Sequence, residues 1–210
     1  MVGPASPASP KVDPPPPPAL RDRSSIAVRW MAHDDNDDNL IYAVYYRGEN
    51  EQDWRLLKSG LTDKFYSFES GLLPDGSYVL KVTASDAPSH PPQDALSDEK
   101  QSQRFEVDNT APRIDGLAAK VEDRQLHVTF RASDDFSPIK RAEYSVDAGE
   151  WQYVAPVGEI SDAKTESYDF SAPLPEPAPT SRSKTGTEHV VVVRVYDRYD
   201  NMATAKYVAK

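Results

Sequence analysis

The 210-residue chain contains no cysteine, so no disulfide framework staples it and no thiolate can hold a metal. Its apolar runs are short. Val190–Val193 falls far below the roughly 20 residues that a membrane-spanning helix needs, and membrane insertion is not expected. The opening Met1-Val2-Gly3 leads into Pro and Ala, without the charged start and apolar stretch of a signal peptide. Basic residues are in the minority: 24 Lys and Arg stand against 34 Asp and Glu, a net charge of −10. Nucleic acid and anionic membranes demand a basic footprint and are excluded as partners; cations and basic surfaces fit better. Also missing are a G-x-S-x-G elbow, an H-E-x-x-H pair, a phosphate-cradling glycine loop and a dinucleotide fingerprint. A pair of carboxylates acting as a hydrolase is the enzymatic alternative left, yet small sandwiches seldom form the cleft it needs. The expectation is a chain that is not an enzyme.

What the chain does have is 19 prolines, 11 tyrosines and few segments of helical period, which favours an all-β fold. Residues 1–21 are Pro, Ala and Ser ending near the run Pro14–Pro18. Such a stretch cannot bury enough apolar area to fold alone and reads as an extended polyproline linker. Strands follow. Ile26, Val28 and Trp30 alternate with polar or small neighbours, as do Tyr42, Val44 and Tyr46, the period-two pattern of a half-buried strand. Trp54 and Leu56, then Phe65 to Phe68, suggest two more strands. The stretch from Leu72 to Asp86 combines a turn, a corner tyrosine at Tyr78 and a strand with Leu80, Val82 and Ala84 facing inward. Asp86 to Lys100, with Pro88, Pro91 and Pro92, reads as an irregular exposed loop. Phe105 and Val107 then close the sheet.

The second half repeats the first at an offset of 100 residues. Val28 to Asp35 aligns with Val128 to Asp135, and Tyr42, Val44 and Tyr46 fall on Ala142, Tyr144 and Val146. Trp54 is echoed by Trp151 after a turn at Asp147-Ala148-Gly149, and His189 to Asp197 stands where Tyr78 to Asp86 stood. A period near one hundred residues is the size of one seven-stranded sandwich. The expected organisation is a linker over 1–21, one sandwich over 22–110 and a second over 111–210.

Leu72, Pro74 and Tyr78 resemble the L-x-P-x-x-x-Y signature of fibronectin type III domains, and Tyr42 to Arg47 resembles their Y-x-V-x-Y-R third strand. The tandem is similar to the fibronectin type III-like and Ig-like modules at the C-terminus of large secreted bacterial proteins. That resemblance implies two antiparallel β-sandwiches, an extracellular, cell-surface or periplasmic location, and a spacer and protein-docking role beside an upstream domain of the same polypeptide. It implies a monomer without a required cofactor. His189 replaces the corner tyrosine in the second unit.

The acidic loops carry the functional signal. Asp34, Asp35, Asp37 and Asp38 follow the second strand of the sandwich and Asp86 ends the sixth; loops after those strands share one pole of an Ig-like sandwich. In the second unit Asp134, Asp135, Asp197 and Asp200 repeat the pattern, and Asp108 and Asn109 of the joining segment enter from the same pole. Oxygen side chains at a joint are what Ca2+ requires, and the grouping resembles the calcium-stiffened joints of cadherin-like repeats. The alternative function is therefore a calcium-stiffened adhesion or polysaccharide-binding module. Against it stands the ordinary use of Asp and Asn in tight turns.

Overall fold

The computed structural model describes residues 24–174 and 188–210; the proline run of the linker and most of the segment from Pro173 to Gly186 lie outside them. The fold is all-β, two Ig-like antiparallel sandwiches in tandem, with a single 3-10 turn at Ser70–Leu72. No helix of the described residues is long and apolar enough to cross a membrane.

In the first unit, β1 (Ser25–Arg29) pairs with β4 (Phe65–Glu69). Facing them is a sheet in the order β3 (Arg55–Leu61), β2 (Ile41–Gly48), β5 (Gly76–Ser85), β6 (Ser97–Gln101), with β7 (Phe105–Val107) also on β5. Alternation along β5 sends Tyr78, Leu80 and Val82 inward, where they meet Tyr42, Val44, Phe68, Leu73 and Val107 in one core. Trp30 packs its edge on Tyr42 at 5.3 Å. The corner closes as expected, with the Tyr78 hydroxyl donating to the Pro74 carbonyl at 2.7 Å. Between the two sheets a groove of about 1540 Å³ opens beside Trp30 and β6.

Strand β6 corrects the reading of Asp86 to Lys100 as wholly irregular. Ser97–Gln101 pairs with β5 from Lys81 to Ser85, yet all five side chains are exposed, so backbone bonding holds this strand and no apolar alternation marks it. Its charges Asp98, Glu99 and Lys100 guard the rim of the sheet, as edge strands require.

Among the described residues the second unit has seven strands. One sheet runs β12 (Thr165–Pro173), β9 (Gln125–Ser133), β8 (Arg113–Glu122), and the other runs β11 (Gln152–Val154), β10 (Ile139–Val146), β13 (His189–Asp197), β14 (Met202–Ala209). This three-plus-four arrangement is that of an Ig-like sandwich. Its core, from Leu126, Val128 and Phe130 to Val191, Val193 and Val195, shares no residue with that of the first unit. Phe130 stacks on Tyr168 at 4.4 Å. Asp123 and Arg124 both take positive φ between β8 and β9, as do Asp147 and Ala148 after β10, the conformation that tight hairpins need.

Tyr78→Phe keeps the ring and deletes the corner bond, and lowers stability by about 1 kcal/mol. Leu126→Ala opens a cavity at a fully buried site and lowers stability by about 2 to 5 kcal/mol. Urea denaturation midpoints check both; wild-type midpoints would mean that these side chains do not hold the corner and the core.

Candidate functional site at the joint

The segment after β7 crosses from one unit to the other within a few residues, and both units grip it. Asn109 donates its backbone N–H to Asp75 Oδ1 at 2.6 Å and its side-chain amide to the Leu73 carbonyl at 3.0 Å. From the other side, Asn201 Nδ2 donates to the Asp108 carbonyl at 2.9 Å. Tyr199 donates its hydroxyl to Glu106 on β7 at 2.7 Å. Burial, reinforced by the neighbouring Glu106, pushes the Tyr199 phenol up to about 12, so it remains a donor at neutral pH. Both residues belong to the turn between β13 and β14, where Asp200 takes a φ of 68°.

At this joint three carboxylates converge. Asp108, Asp134 and Asp197 are 6%, 5% and 0% exposed, and each offers an oxygen within 4.8 Å of the others. Their local roles are set by the turns that hold them. Asp134 Oδ1 accepts the N–H groups of Phe136 and Ser137 at 2.8 and 2.7 Å. Asp197 Oδ1 accepts those of Tyr199 and Asn201 at 2.8 and 2.9 Å, and its Oδ2 accepts Asn201 Nδ2 at 2.7 Å. Asp108 Oδ1 accepts from Thr110 at 3.2 Å. The second oxygens of Asp108 and Asp134 are buried without a hydrogen-bond partner, as is the hydroxyl of Ser137.

The other acidic residues of the joint turn elsewhere. Asp135 is exposed and pairs with Arg113 at 2.7 Å. Asp200 lies 2.8 Å from Lys140 and 3.3 Å from Arg141. Asn109 spends its amide on the first unit. Of the six candidate ligands, three meet; Ser137, which the sequence reading did not single out, joins them. Its signal was the S-D-D-x-S spacing, which places a hydroxyl three residues after Asp134.

In the first unit, Asp34 Oδ1 serves as a turn acceptor for Asn36 and Asp38, and Asp35 projects into solvent near His33. Asp86 is buried and accepts the Leu96 N–H at 2.7 Å. Its companions are His90, at 3.3 Å, and Asp38 beyond it. His189 Nδ1 lies 2.7 Å from Asp147 Oδ2, so the residue at the second corner ties β13 to the turn after β10. His127 similarly meets Asp169. Tyr153 stands exposed at 60%, while Tyr45 lies under Lys81.

Desolvation raises the carboxyl groups of Asp108 and Asp197 above the usual range, with the Asp134 charge adding to it at Asp108 and the Asp108 charge at Asp197. A carboxyl raised in the folded state favours folding below its unfolded value near 3.9, and that contribution is lost as pH rises through the raised value. Asp108→Asn keeps an acceptor for Thr110 and removes one titration. With chelator present, urea midpoints of this variant fall less between about pH 4 and pH 7 than those of wild type; parallel profiles would contradict the raised group.

No family model and no curated protein matches the chain. Among solved structures it is similar to the chicken CNTN1 FN1–FN3 domains, at 13% identity and a TM-score of 0.40 over 89% of this chain. It spans 63% of that chain, less than two thirds of its length. It is also similar to the chicken interferon gamma receptor alpha chain, at 10% identity and a TM-score of 0.35 over 89% of this chain and 91% of the other. A DUF3823 family protein from Parabacteroides merdae matches at 15% identity and a TM-score of 0.33, over 89% and 98% of the two chains.

Proposed function

We propose that the chain is a non-catalytic spacer and protein-docking module of a larger secreted or surface protein, in which residues 22–110 and 111–210 are two beads held at a fixed angle. The supporting observation is the joint. Its connecting segment is bonded by side chains of both units, through Asn109 to Leu73 and Asp75 and through Asn201 and Tyr199 to Asp108 and Glu106. A short segment restrained from both sides removes the conformational freedom of a linker, and a spacer transmits distance only when its joints are stiff.

The titratable groups support the non-catalytic part of this reading. The four histidines each sit against an aspartate on a strand or turn, and these pairs tie neighbouring strands and turns together. An open groove has Trp30, Leu80 and Val82 along it, and a cleft of about 390 Å³ at the joint is lined by Asn109, Tyr199 and Asn201. An upstream domain of the same polypeptide and a protein ligand are the partners of this reading, outside the cell or in the periplasm.

The absence of cysteine makes spin labelling clean. With Ser59→Cys and Lys206→Cys labelled, the distance between the units is expected to be one narrow distribution. Adding Tyr199→Phe and Asn201→Ala broadens it at least twofold. A broad distribution in the parent chain would overturn the spacer reading.

A further inference from the structure

We infer that the joint holds a single hard divalent cation, and that its ligands are Asp108, Asp134, Asp197 and the hydroxyl of Ser137. The inference rests on the reading of the joint as a fixed connection and supplies its regulation. Calcium–oxygen distances are about 2.3 to 2.6 Å, so two oxygens on one ion lie no more than about 5 Å apart. The three carboxylates meet that condition, with oxygens within 4.8 Å of one another.

The turns leave lone pairs for an ion. Asp108 and Asp134 each commit Oδ1 to backbone N–H groups, and each keeps a buried Oδ2 that accepts nothing. Independently, Ser137 is 2% exposed, and its hydroxyl is close enough to the Asp108 carboxyl to favour the charged form while falling short of full hydrogen-bond geometry. A buried hydroxyl left in this way costs free energy unless something takes its lone pairs. Among the described residues no Lys, Arg or His forms an ion pair with any of the three carboxylates, the nearby Arg113, Lys140 and Arg141 being paired with Asp135 and Asp200, so their charge is met by turn N–H groups and the Asn201 amide.

The donor set selects the ion. Oxygen alone, without imidazole or thiolate, suits calcium or magnesium rather than zinc or copper. Calcium tolerates irregular geometry and mixed ligands, whereas magnesium demands a near-ideal octahedron; ligands drawn from three separate turns favour calcium. Water completes the coordination. Asp108 lies on the joining segment, Asp134 and Ser137 follow β9, and Asp197 ends β13. One ion therefore ties the connection to two loops of the second unit, and its removal leaves three like charges to push them apart.

Calorimetric titration of the full chain with CaCl2 in chelator-treated buffer at pH 7, paired with thermal melts, tests the site. One binding event per chain and a rise in Tm of several degrees are expected. Asp134→Asn, which keeps the acceptor for Phe136 and Ser137, abolishes both, and its Tm in chelator equals or exceeds that of wild type. Ser137→Ala weakens binding several-fold. No heat and no shift in wild type would overturn the inference, as would a response undiminished in Asp134→Asn or one seen with zinc but not calcium. The spin-label distances keep the two readings apart: a narrow distribution in chelator with no calcium response defeats the cation and leaves the spacer.

Discussion

Desolvated like charge is the constraint on which the joint depends. Three carboxylates with almost no exposure sit together where the two sandwiches meet, and a buried carboxylate is costly unless it is bonded, protonated or paired. The backbone supplies part of the answer, because each carboxylate caps a turn by accepting N–H groups. Those bonds explain why aspartate stands at each place. They do not remove the cost of burial, and the carboxyl groups of Asp108 and Asp197 are raised, by desolvation first and by the neighbouring carboxylate charge in addition.

Sheet positions place these turns. Strand β13 is the centre of its sheet, flanked by β10 and β14, and its valines at 191, 193 and 195 are fully buried. That fixes Asp197 at its end. Strand β9 is held on both sides by β8 and β12, which fixes Asp134. Strand β7 pairs with the start of β5, with Val107 opposite Gly76, so the first unit delivers Asp108 from a strand end rather than a loose tether. Three strand ends thus converge on one point, each placed by its sheet.

Much of this was legible because strands announce themselves by alternation. Tyr42, Val44, Tyr78, Leu80 and Val82 face the core as their spacing implied, and the matching of Asp34 with Asp134 exposed the repeat. Strand β6 was hidden for the opposite reason: Ser97–Gln101 buries nothing and is held by backbone bonds to β5 and the Lys81–Glu99 ion pair. At the joint, loop position in the sandwich grouped six oxygen-bearing residues but could not sort which of them turn toward one another. Asp135 and Asp200 differ from Asp134 and Asp197 only in which way a turn aims them, toward Arg113 and Lys140 rather than inward. Ser137 carried no charge to draw attention, and its place beside Asp134 in the buried joint appears only in the structure.

Terbium is a luminescent analogue of calcium that is excited by energy transfer from a nearby tyrosine, and Tyr199 follows Asp197 by two residues on the turn that closes the joint. Tyrosine-sensitised emission from the full chain with one equivalent of Tb3+ tests the central claim most directly. Strong emission that calcium displaces, and that is lost in Asp134→Asn, is the result predicted. Absent emission, or emission unchanged by that substitution, would contradict a cation at the joint.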